Sequence, residues 1–150
     1  MSGLEGLYQE IILDHAKRRV GKGIAGADLP GLASAQSHQL NPICGDEVTL
    51  KVWMDDSRIS RVAWDGAGCS ISMASASVLS ELVSGETRDE MMEQLDAFRE
   101  LMRSRGSVTP DEELLGDAAA FAGVSRFPAR VKCAMLAWVA LEEAVLAANR

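Results

Sequence analysis

The sequence predicts an α+β domain in which helices pack on one face of a small antiparallel sheet. Three features support this fold class: an amphipathic helix near the start, alternating polar and apolar residues in the middle, and helical periodicity through the second half. A run of strands followed by a run of helices is typical of α+β architecture, whereas strands that alternate regularly with helices indicate a parallel sheet. The length of 150 residues fits one domain, so we expect a single domain over residues 1–150.

The first helix is predicted over residues 4–19. Its apolar residues recur at helical spacing and form one face: Leu4, Leu7, Tyr8, Ile11 and Ile12. Gly21, Gly23 and Gly26 then end it. This glycine stretch lacks the Lys-Ser/Thr ending of a phosphate-binding loop and does not follow a strand. We therefore interpret it as a flexible connector.

Strands are predicted between residues 33 and 64. Residues 33–40 have a weak strand pattern. From Val48 to Met54, every second residue is apolar, which is typical of a half-buried antiparallel strand. A turn at 55–57 and a second β-rich run then predict a hairpin over 47–64, which we expect the glycines at 66–68 to end.

Four helices are predicted after the sheet. The first runs from Ser70 to Gly85, and the second covers 87–103, with methionines that we interpret as core residues. A shorter helix over 111–122 follows Pro110. The last begins at Pro128, a residue suited to a first helical turn, and continues to about 148.

Composition and charge exclude several classes of function. The chain has 15 basic and 22 acidic residues and a net charge of −7, which is unfavourable for binding nucleic acid or an anionic membrane. No segment approaches the roughly 18 consecutive apolar residues of a membrane helix. Residues 1–10 lack a basic region followed by an apolar run, so we expect no signal peptide and a cytoplasmic location.

Three cysteines lie in contexts that favour chemistry. Cys44 lies in a turn formed by Asn-Pro and Gly-Asp, and Cys69 follows a Gly-rich turn at the start of a predicted helix. Cys133 is one turn into the last helix, beside Arg130 and Lys132. Helix N-termini and neighbouring cations favour the thiolate form. We interpret the three as a metal or sulfur site; the alternative is that Cys69 and Cys133 are small buried apolar residues.

Three thiolates would need a fourth ligand to complete a tetrahedral zinc site. His15 and His38 are candidates by residue type, and Asp46 is a candidate by its position two residues after Cys44. His15 falls on one stripe of the first helix, so a hydrogen-bonded, partly buried role is expected for it. The spacing of the cysteines forms no paired C-x-x-C motifs and does not decide among these ligands.

The cysteine motifs resemble those of a known family over nearly the whole chain. The motifs are Asn41-Pro42-Ile43-Cys44-Gly45-Asp46, Gly66-Ala67-Gly68-Cys69-Ser70-Ile71-Ser72 and Lys132-Cys133-Ala134-Met135. They are similar to the signatures of the IscU/NifU-N family of iron–sulfur cluster assembly proteins. The chain resembles the SufU type within this family, because Lys132 stands where IscU-type scaffolds have a histidine and because the segment from Gly85 to Phe127 is long.

This resemblance implies a SufE/NifU-like fold and a zinc ion bound by Cys44, Asp46, Cys69 and Cys133. It implies a sulfurtransferase that takes persulfide sulfur from a SufS-type, PLP-dependent cysteine desulfurase through Cys44 and serves the downstream iron–sulfur assembly machinery. Cys44 lies on a loop, where small backbone changes can release it. Arg130 and Lys132 would offset the negative charge of the ligands.

Two alternatives remain at this stage. In the first, the chain is a scaffold, not an enzyme, on which a nascent 2Fe–2S cluster is assembled and passed on, since thiolates suit both metals. In the second, zinc only stabilises the fold. An Asp ligand argues modestly against the second alternative, because closed structural zinc sites favour Cys and His.

Overall fold

The computed structural model of the chain describes residues 3–27, 29–43 and 45–148. It has an α+β fold, as predicted, with a three-stranded sheet and helices before and after it. The elements are α1 (Gly3–Arg18), β1 (Ala33–Asn41), β2 (Asp46–Asp55), β3 (Arg58–Ala67), α2 (Ser70–Val83), α3 (Arg88–Arg103), α4 (Glu112–Leu115), a 3₁₀ segment (Gly116–Arg126) and α5 (Pro128–Ala148).

The sheet is fully antiparallel in the order β1-β2-β3. The predicted hairpin is confirmed, but β3 continues to Ala67 instead of ending near 64. Gly66 explains the difference, because a Cβ at this position would lie 2.6 Å from the backbone oxygen of Glu47 on β2. The glycine that we expected to end the strand is the residue that lets the two backbones pair closely.

The main core lies between one face of the sheet and the helices. Val48, Leu50 and Val52 are fully buried on this face of β2, against which α5 packs. The rings of Phe98 on α3 and Trp138 on α5 stack with their centroids 4.4 Å apart. The predicted core role of the methionines in the 87–103 helix is confirmed at Met91 and Met102, which are buried, while Met92 is partly buried and packs against the core.

On the opposite face of the sheet, one side chain of β2 is buried in a small second cluster. Trp53 belongs to the alternate set of β2 residues that the pattern assigns to solvent, yet it is only 1% exposed. It packs with Ala63, Ala27 and Leu29 in a small second cluster. The prediction of a strand buried on one side only is therefore wrong at Trp53.

The glycine connector after α1 is hydrogen-bonded to the sheet. The N–H of Trp64 donates to the carbonyl of Gly21 at 2.9 Å, and the N–H of Gly23 donates to the carbonyl of Trp64 at 2.8 Å. Gly21 has a φ of +83°, and a Cβ there would lie 2.8 Å from Ser80 on α2. The prediction of a flexible connector is therefore wrong from Gly21 to Gly23.

The second half follows the predicted order of helices with one break. Thr87 and Glu90 form a capping box that starts α3, and Pro128 starts α5. The predicted helix over 111–122 is instead split, because Gly116 adopts a φ of +52° after the short α4 and the chain continues as the 3₁₀ segment. None of the helices in the described residues is long and apolar enough to cross a lipid bilayer.

Candidate metal centre

Asp46, Cys69 and Cys133 come together at one end of the sheet. Asp46 is the first residue of β2, Cys69 precedes the first residue of α2, and Cys133 lies in the second turn of α5. One ligand atom from each of the three side chains lies within 4.8 Å of the other two. Cys44, the fourth predicted ligand and the predicted sulfur acceptor, lies outside the described residues.

The carboxylate of Asp46 is the most constrained group of the centre. The residue is only 3% exposed. Its Oδ1 accepts a hydrogen bond from the backbone N–H of Cys69 at 3.2 Å, and its Oδ2 accepts one from the hydroxyl of Ser72 at 2.6 Å and one from the thiol of Cys69 at 3.3 Å. The Asp46 carboxylate thus accepts hydrogen bonds from three groups: the backbone N–H of Cys69, the thiol of Cys69 and the hydroxyl of Ser72.

These hydrogen bonds also set the ionisation of Asp46. Burial on its own would raise the pKa of this carboxyl, but hydrogen bonds from Ser72, Cys133 and Cys69 outweigh burial and lower the pKa below its ordinary value. The residue is therefore a carboxylate at neutral pH, which is the form that binds a metal.

Gly68 makes room for this carboxylate. A Cβ at Gly68 would lie 2.7 Å from both Cγ and Oδ1 of Asp46, closer than carbon atoms approach without displacement. The Gly-Ala-Gly sequence therefore does more than turn the chain, because its second glycine lets the side chain from β2 lie directly under the start of α2.

The two described cysteines differ in accessibility. Cys69 is exposed and occupies the N-cap position of α2, where its side chain makes no capping hydrogen bond. Cys133 is 7% exposed, and its Sγ lies 3.7 Å from the carbonyl oxygen of Ala129, one turn earlier in α5. The alternative of a buried apolar residue is therefore wrong for Cys69, while Cys133 is buried but lies against the carboxylate of Asp46.

Among the described residues, neither histidine joins Asp46 and the cysteines. His15 is fully buried, as part of a hydrogen-bonded link between helices: its Nδ1 lies 2.8 Å from Oγ of Ser77, and its Nε2 lies 2.9 Å from Oδ2 of Asp117. His38 is exposed on β1 and lies 3.1 Å from Glu47. Of the candidate fourth ligands, only Asp46 lies beside the thiols.

His15, Asp117 and Glu81 form a second group of potential ligands. The guanidinium of Arg18 already occupies it, with Nη2 3.2 Å from His15 Nε2 and Nη1 3.3 Å from a carboxylate oxygen of Glu81. The positive charge of Arg18 therefore offsets the negative charges of Asp117 and Glu81.

The predicted basic neighbours of the site are both exposed on α5. Arg130 lies over the ring of Phe127 at 5.2 Å. Lys132 borders an open apolar groove that also includes Leu40 and Ile43. Sequence reasoning did not single out Ser72 as part of the site; its position three residues after Cys69, one helical turn on, is the signal that could have indicated it.

An α+β domain that holds two thiols beside an ionised, buried carboxylate defines a class of candidate thiolate metal-binding proteins. The family described as NifU-like N terminal domain matches residues 7–134. The chain belongs to this family, and its relatives are IscU and SufU proteins of iron–sulfur cluster assembly. The resemblance inferred from the three cysteine motifs is thereby confirmed.

Two curated relatives match nearly the whole chain. The iron–sulfur cluster assembly scaffold protein IscU of Streptococcus pyogenes serotype M1 is 39% identical over 145 residues, which is 97% of this chain and 86% of that protein. The zinc-dependent sulfurtransferase SufU of Bacillus subtilis strain 168 is 37% identical over 144 residues, which is 96% of this chain and 92% of that protein.

Solved structures share the fold. A crystal structure described as that of a candidate iron–sulfur cluster assembly scaffold protein for the SUF system, from Fervidobacterium islandicum AW-1, is similar with a TM-score of 0.76 and 34% identity. The match covers 91% of this chain and 94% of that one. A nitrogen-fixing NifU-like protein (N-terminal) from Brucella abortus matches with a TM-score of 0.76 and 25% identity over 99% of this chain and 97% of that one.

Proposed function

We propose that this chain is a zinc-dependent sulfur acceptor in iron–sulfur cluster assembly, and that it takes persulfide sulfur from a SufS-type, PLP-dependent cysteine desulfurase through Cys44. The observation that carries the proposal is the convergence of Asp46, Cys69 and Cys133 within 4.8 Å of one another. The similarity to the Bacillus subtilis protein named as a zinc-dependent sulfurtransferase supports the same function.

The donor atoms fit zinc. Zinc binds thiolate sulfur and carboxylate oxygen in tetrahedral geometry, in which neighbouring ligand atoms are about 3.5 Å apart. The three side chains would therefore need only a small inward movement, and Cys44 would supply the fourth ligand from the segment directly before Asp46. When bound, zinc would keep the thiols ionised at neutral pH.

Sulfur transfer would proceed as a thiol–disulfide-type exchange. The thiolate of Cys44 attacks the terminal sulfur of the desulfurase cysteine persulfide, and a new S–S bond forms on Cys44. The S–S bond of the donor breaks at the same time, and its electron pair leaves with the donor cysteine as a thiolate. The exchange consumes no oxidant or reductant, and the exposed cations Arg130 and Lys132 would reduce repulsion between the anionic groups.

The thiol chemistry of the proposed function also indicates the cellular compartment in which it would take place. Cysteine thiols stay reduced, and so available as thiolates, in a reducing compartment. We therefore place the proposed activity in the cytoplasm, where the downstream recipients would be the iron–sulfur assembly machinery.

A turnover assay tests the proposal. Sulfide release from cysteine by a SufS-type desulfurase, with excess reductant, is measured without this chain, with the zinc-loaded chain and with Cys44→Ala. We expect the wild-type chain to stimulate turnover and Cys44→Ala to abolish the stimulation. His38→Ala, a substitution of an exposed residue, serves as the matched control and should stimulate as the wild type does. Undiminished stimulation by Cys44→Ala would overturn the assignment of Cys44.

A scaffold function is the second candidate, and the similarity to proteins named IscU favours it. In that case the same side chains would hold a 2Fe–2S cluster as cargo. Purified protein would then retain a coloured cluster through desalting after reconstitution with iron and sulfide, and it would not stimulate a desulfurase.

A further inference from the structure

We propose that Ser72 is a positioning residue of the metal centre, and that its hydroxyl holds the Asp46 carboxylate in the orientation that binds the metal. The inference rests on the proposed zinc site and extends it to a residue that is not itself a ligand. Ser72 is fully buried, and its Oγ lies 2.6 Å from Oδ2 of Asp46, closer than either the backbone nitrogen or the thiol of Cys69 lies to this carboxylate.

The hydroxyl of Ser72, in the first turn of α2, donates its hydrogen bond to a residue outside the helix. Serines inside helices commonly donate to the carbonyl one turn earlier. On the same helix, Ser80 does this at 2.7 Å from the carbonyl of Ala76. Ser72 instead donates across to β2, so its hydroxyl is used for the carboxylate and not for its own helix.

The hydrogen bond fixes a torsion that is otherwise soft. The terminal torsion of an aspartate is broad, so an unrestrained carboxylate rotates easily. In this fold, Cys69 N–H holds Oδ1 and Ser72 holds Oδ2. With both oxygens held, Oδ2 faces the thiol of Cys69 at 3.3 Å and is ready to share a metal with it.

Ser72 also keeps two ligands in one rigid unit. Its Oγ lies 3.5 Å from Sγ of Cys69, one turn earlier at the start of α2. Loss of the hydroxyl would leave a buried carboxylate with one hydrogen bond fewer, held at Oδ1 by the Cys69 N–H but less restrained at Oδ2. Removal of such outer partners typically weakens metal binding by about 10- to 100-fold.

The test is zinc affinity, measured by competition with a chromophoric chelator, for the wild type, Ser72→Ala, Ser72→Thr and Ser80→Ala. Ser80→Ala is the matched control, because it removes the same atom from a buried serine of the same helix that does not contact Asp46. We expect Ser72→Ala to bind zinc about tenfold or more weakly. We expect Ser72→Thr to restore much of the affinity and Ser80→Ala to equal the wild type.

Three further measurements separate positioning from loss of folding. The Co²⁺ spectrum reports the ligand set and should change in Ser72→Ala but not in Ser80→Ala. In a double-mutant cycle with Asp46→Asn, Ser72→Ala should have little further effect on affinity, because it acts through the carboxylate. Thermal melting of the metal-free proteins shows that each variant is folded.

Equal zinc affinity in folded Ser72→Ala and the wild type would overturn the inference, as would an undiminished effect on the Asp46→Asn background. A wild-type chain that binds no zinc would overturn the zinc site itself, and the wild-type measurement alone would show that. If Ser72→Ala does not fold, the Co²⁺ spectrum of Ser72→Thr is compared with that of the wild type. Because Ser72→Thr keeps the hydroxyl, a spectrum that differs from the wild type would count against the inference.

Discussion

The backbone N–H of Cys69 donates a hydrogen bond to Oδ1 of Asp46 across 3.2 Å, so the end of β3 and the start of α2 are joined to the first residue of β2. This bond links two candidate ligands that are 23 residues apart in the chain. The metal centre is therefore partly assembled by the protein fold, and several consequences for stability and binding can be measured.

Acid should destabilise the metal-free protein in part through Asp46. The hydrogen bonds from Ser72, Cys133 and Cys69 outweigh burial and lower its pKa in the fold. A lowered folded pKa contributes stability that is complete above the unfolded pKa, about 3.9 for aspartate, and is lost as the pH falls through the folded value. We expect Asp46→Asn to lose less stability than the wild type on acidification, as measured by urea unfolding in a chelator at pH about 7 and about 3.

The control for this measurement is Asp56→Asn. Asp56 is exposed in the β2–β3 turn with a φ of +57°, a conformation that asparagine also adopts readily. Its pH dependence should match the wild type. An Asp46→Asn variant that loses as much stability on acidification as the wild type would contradict the stabilising role of the carboxylate.

Gly68→Ala should weaken zinc binding without preventing folding. The added Cβ would lie 2.7 Å from the carboxylate of Asp46, so the carboxylate must move. We expect a loss of affinity of about tenfold or more. Gly123→Ala is the control, because a Cβ there meets no atom within 4 Å. Wild-type affinity in Gly68→Ala would show that the carboxylate position is not critical.

The two histidines should differ sharply in their contribution to stability. His15 is fully buried and bonds both Ser77 and Asp117, so His15→Ala should cost about 2–4 kcal/mol through lost packing and unpaired polar groups. His38 is exposed and pairs only with Glu47 on the neighbouring strand among the described residues, so His38→Ala should cost less than about 0.5 kcal/mol. Urea unfolding at neutral pH measures both, and similar costs would contradict the structural role of His15.

If the chain acts as a cluster scaffold, the second candidate function, Lys132→His should lengthen the lifetime of a reconstituted 2Fe–2S cluster. Lys132 is exposed and directly precedes Cys133, at the position where IscU-type scaffolds have a histidine. The histidine would add a potential cluster ligand or proton-transfer group. Decay of the visible absorption measures the lifetime, with Lys17→His, an exposed position at the end of α1, as the control. An unchanged lifetime would show that this residue is not what separates the two types.

Most of the fold is encoded in local patterns that can be read along the chain. The alternation from Val48 to Met54 and the helical stripe after Pro128 predict β2 and α5 correctly, because burial on one face imposes those periods. The burial of Trp53 and the role of Gly66 within β3 could not be predicted from such local patterns. The burial of Trp53 depends on Ala27 and Leu29 from a distant loop, and the effect of Gly66 depends on how close Glu47 lies on the paired strand.

The candidate site was predictable by residue type but not by arrangement. The contexts of Cys69 and Cys133 indicated reactive thiols, and the three motifs indicated the family. Residue type and spacing left Asp46, His15 and His38 open, and only the family resemblance selected Asp46. The physical reason lies in tertiary contacts, since His15 is hydrogen-bonded to Ser77 and Asp117. The direction of the Ser72 hydroxyl is likewise a property of the folded chain: its spacing from Cys69 marks it as a neighbour of the site, but the bond to Asp46 is seen only in the structure.

The most direct test of sulfur transfer is the location of the transferred sulfur. The zinc-loaded chain is mixed with persulfidated desulfurase without reductant, alkylated, and digested for peptide mass spectrometry. We expect one additional sulfur atom on the peptide that contains Cys44 in the wild type and no additional sulfur on Cys44→Ala. Sulfur carried by Cys69 or Cys133, or by Cys44→Ala to the same extent as the wild type, would contradict the assignment of Cys44 as the acceptor.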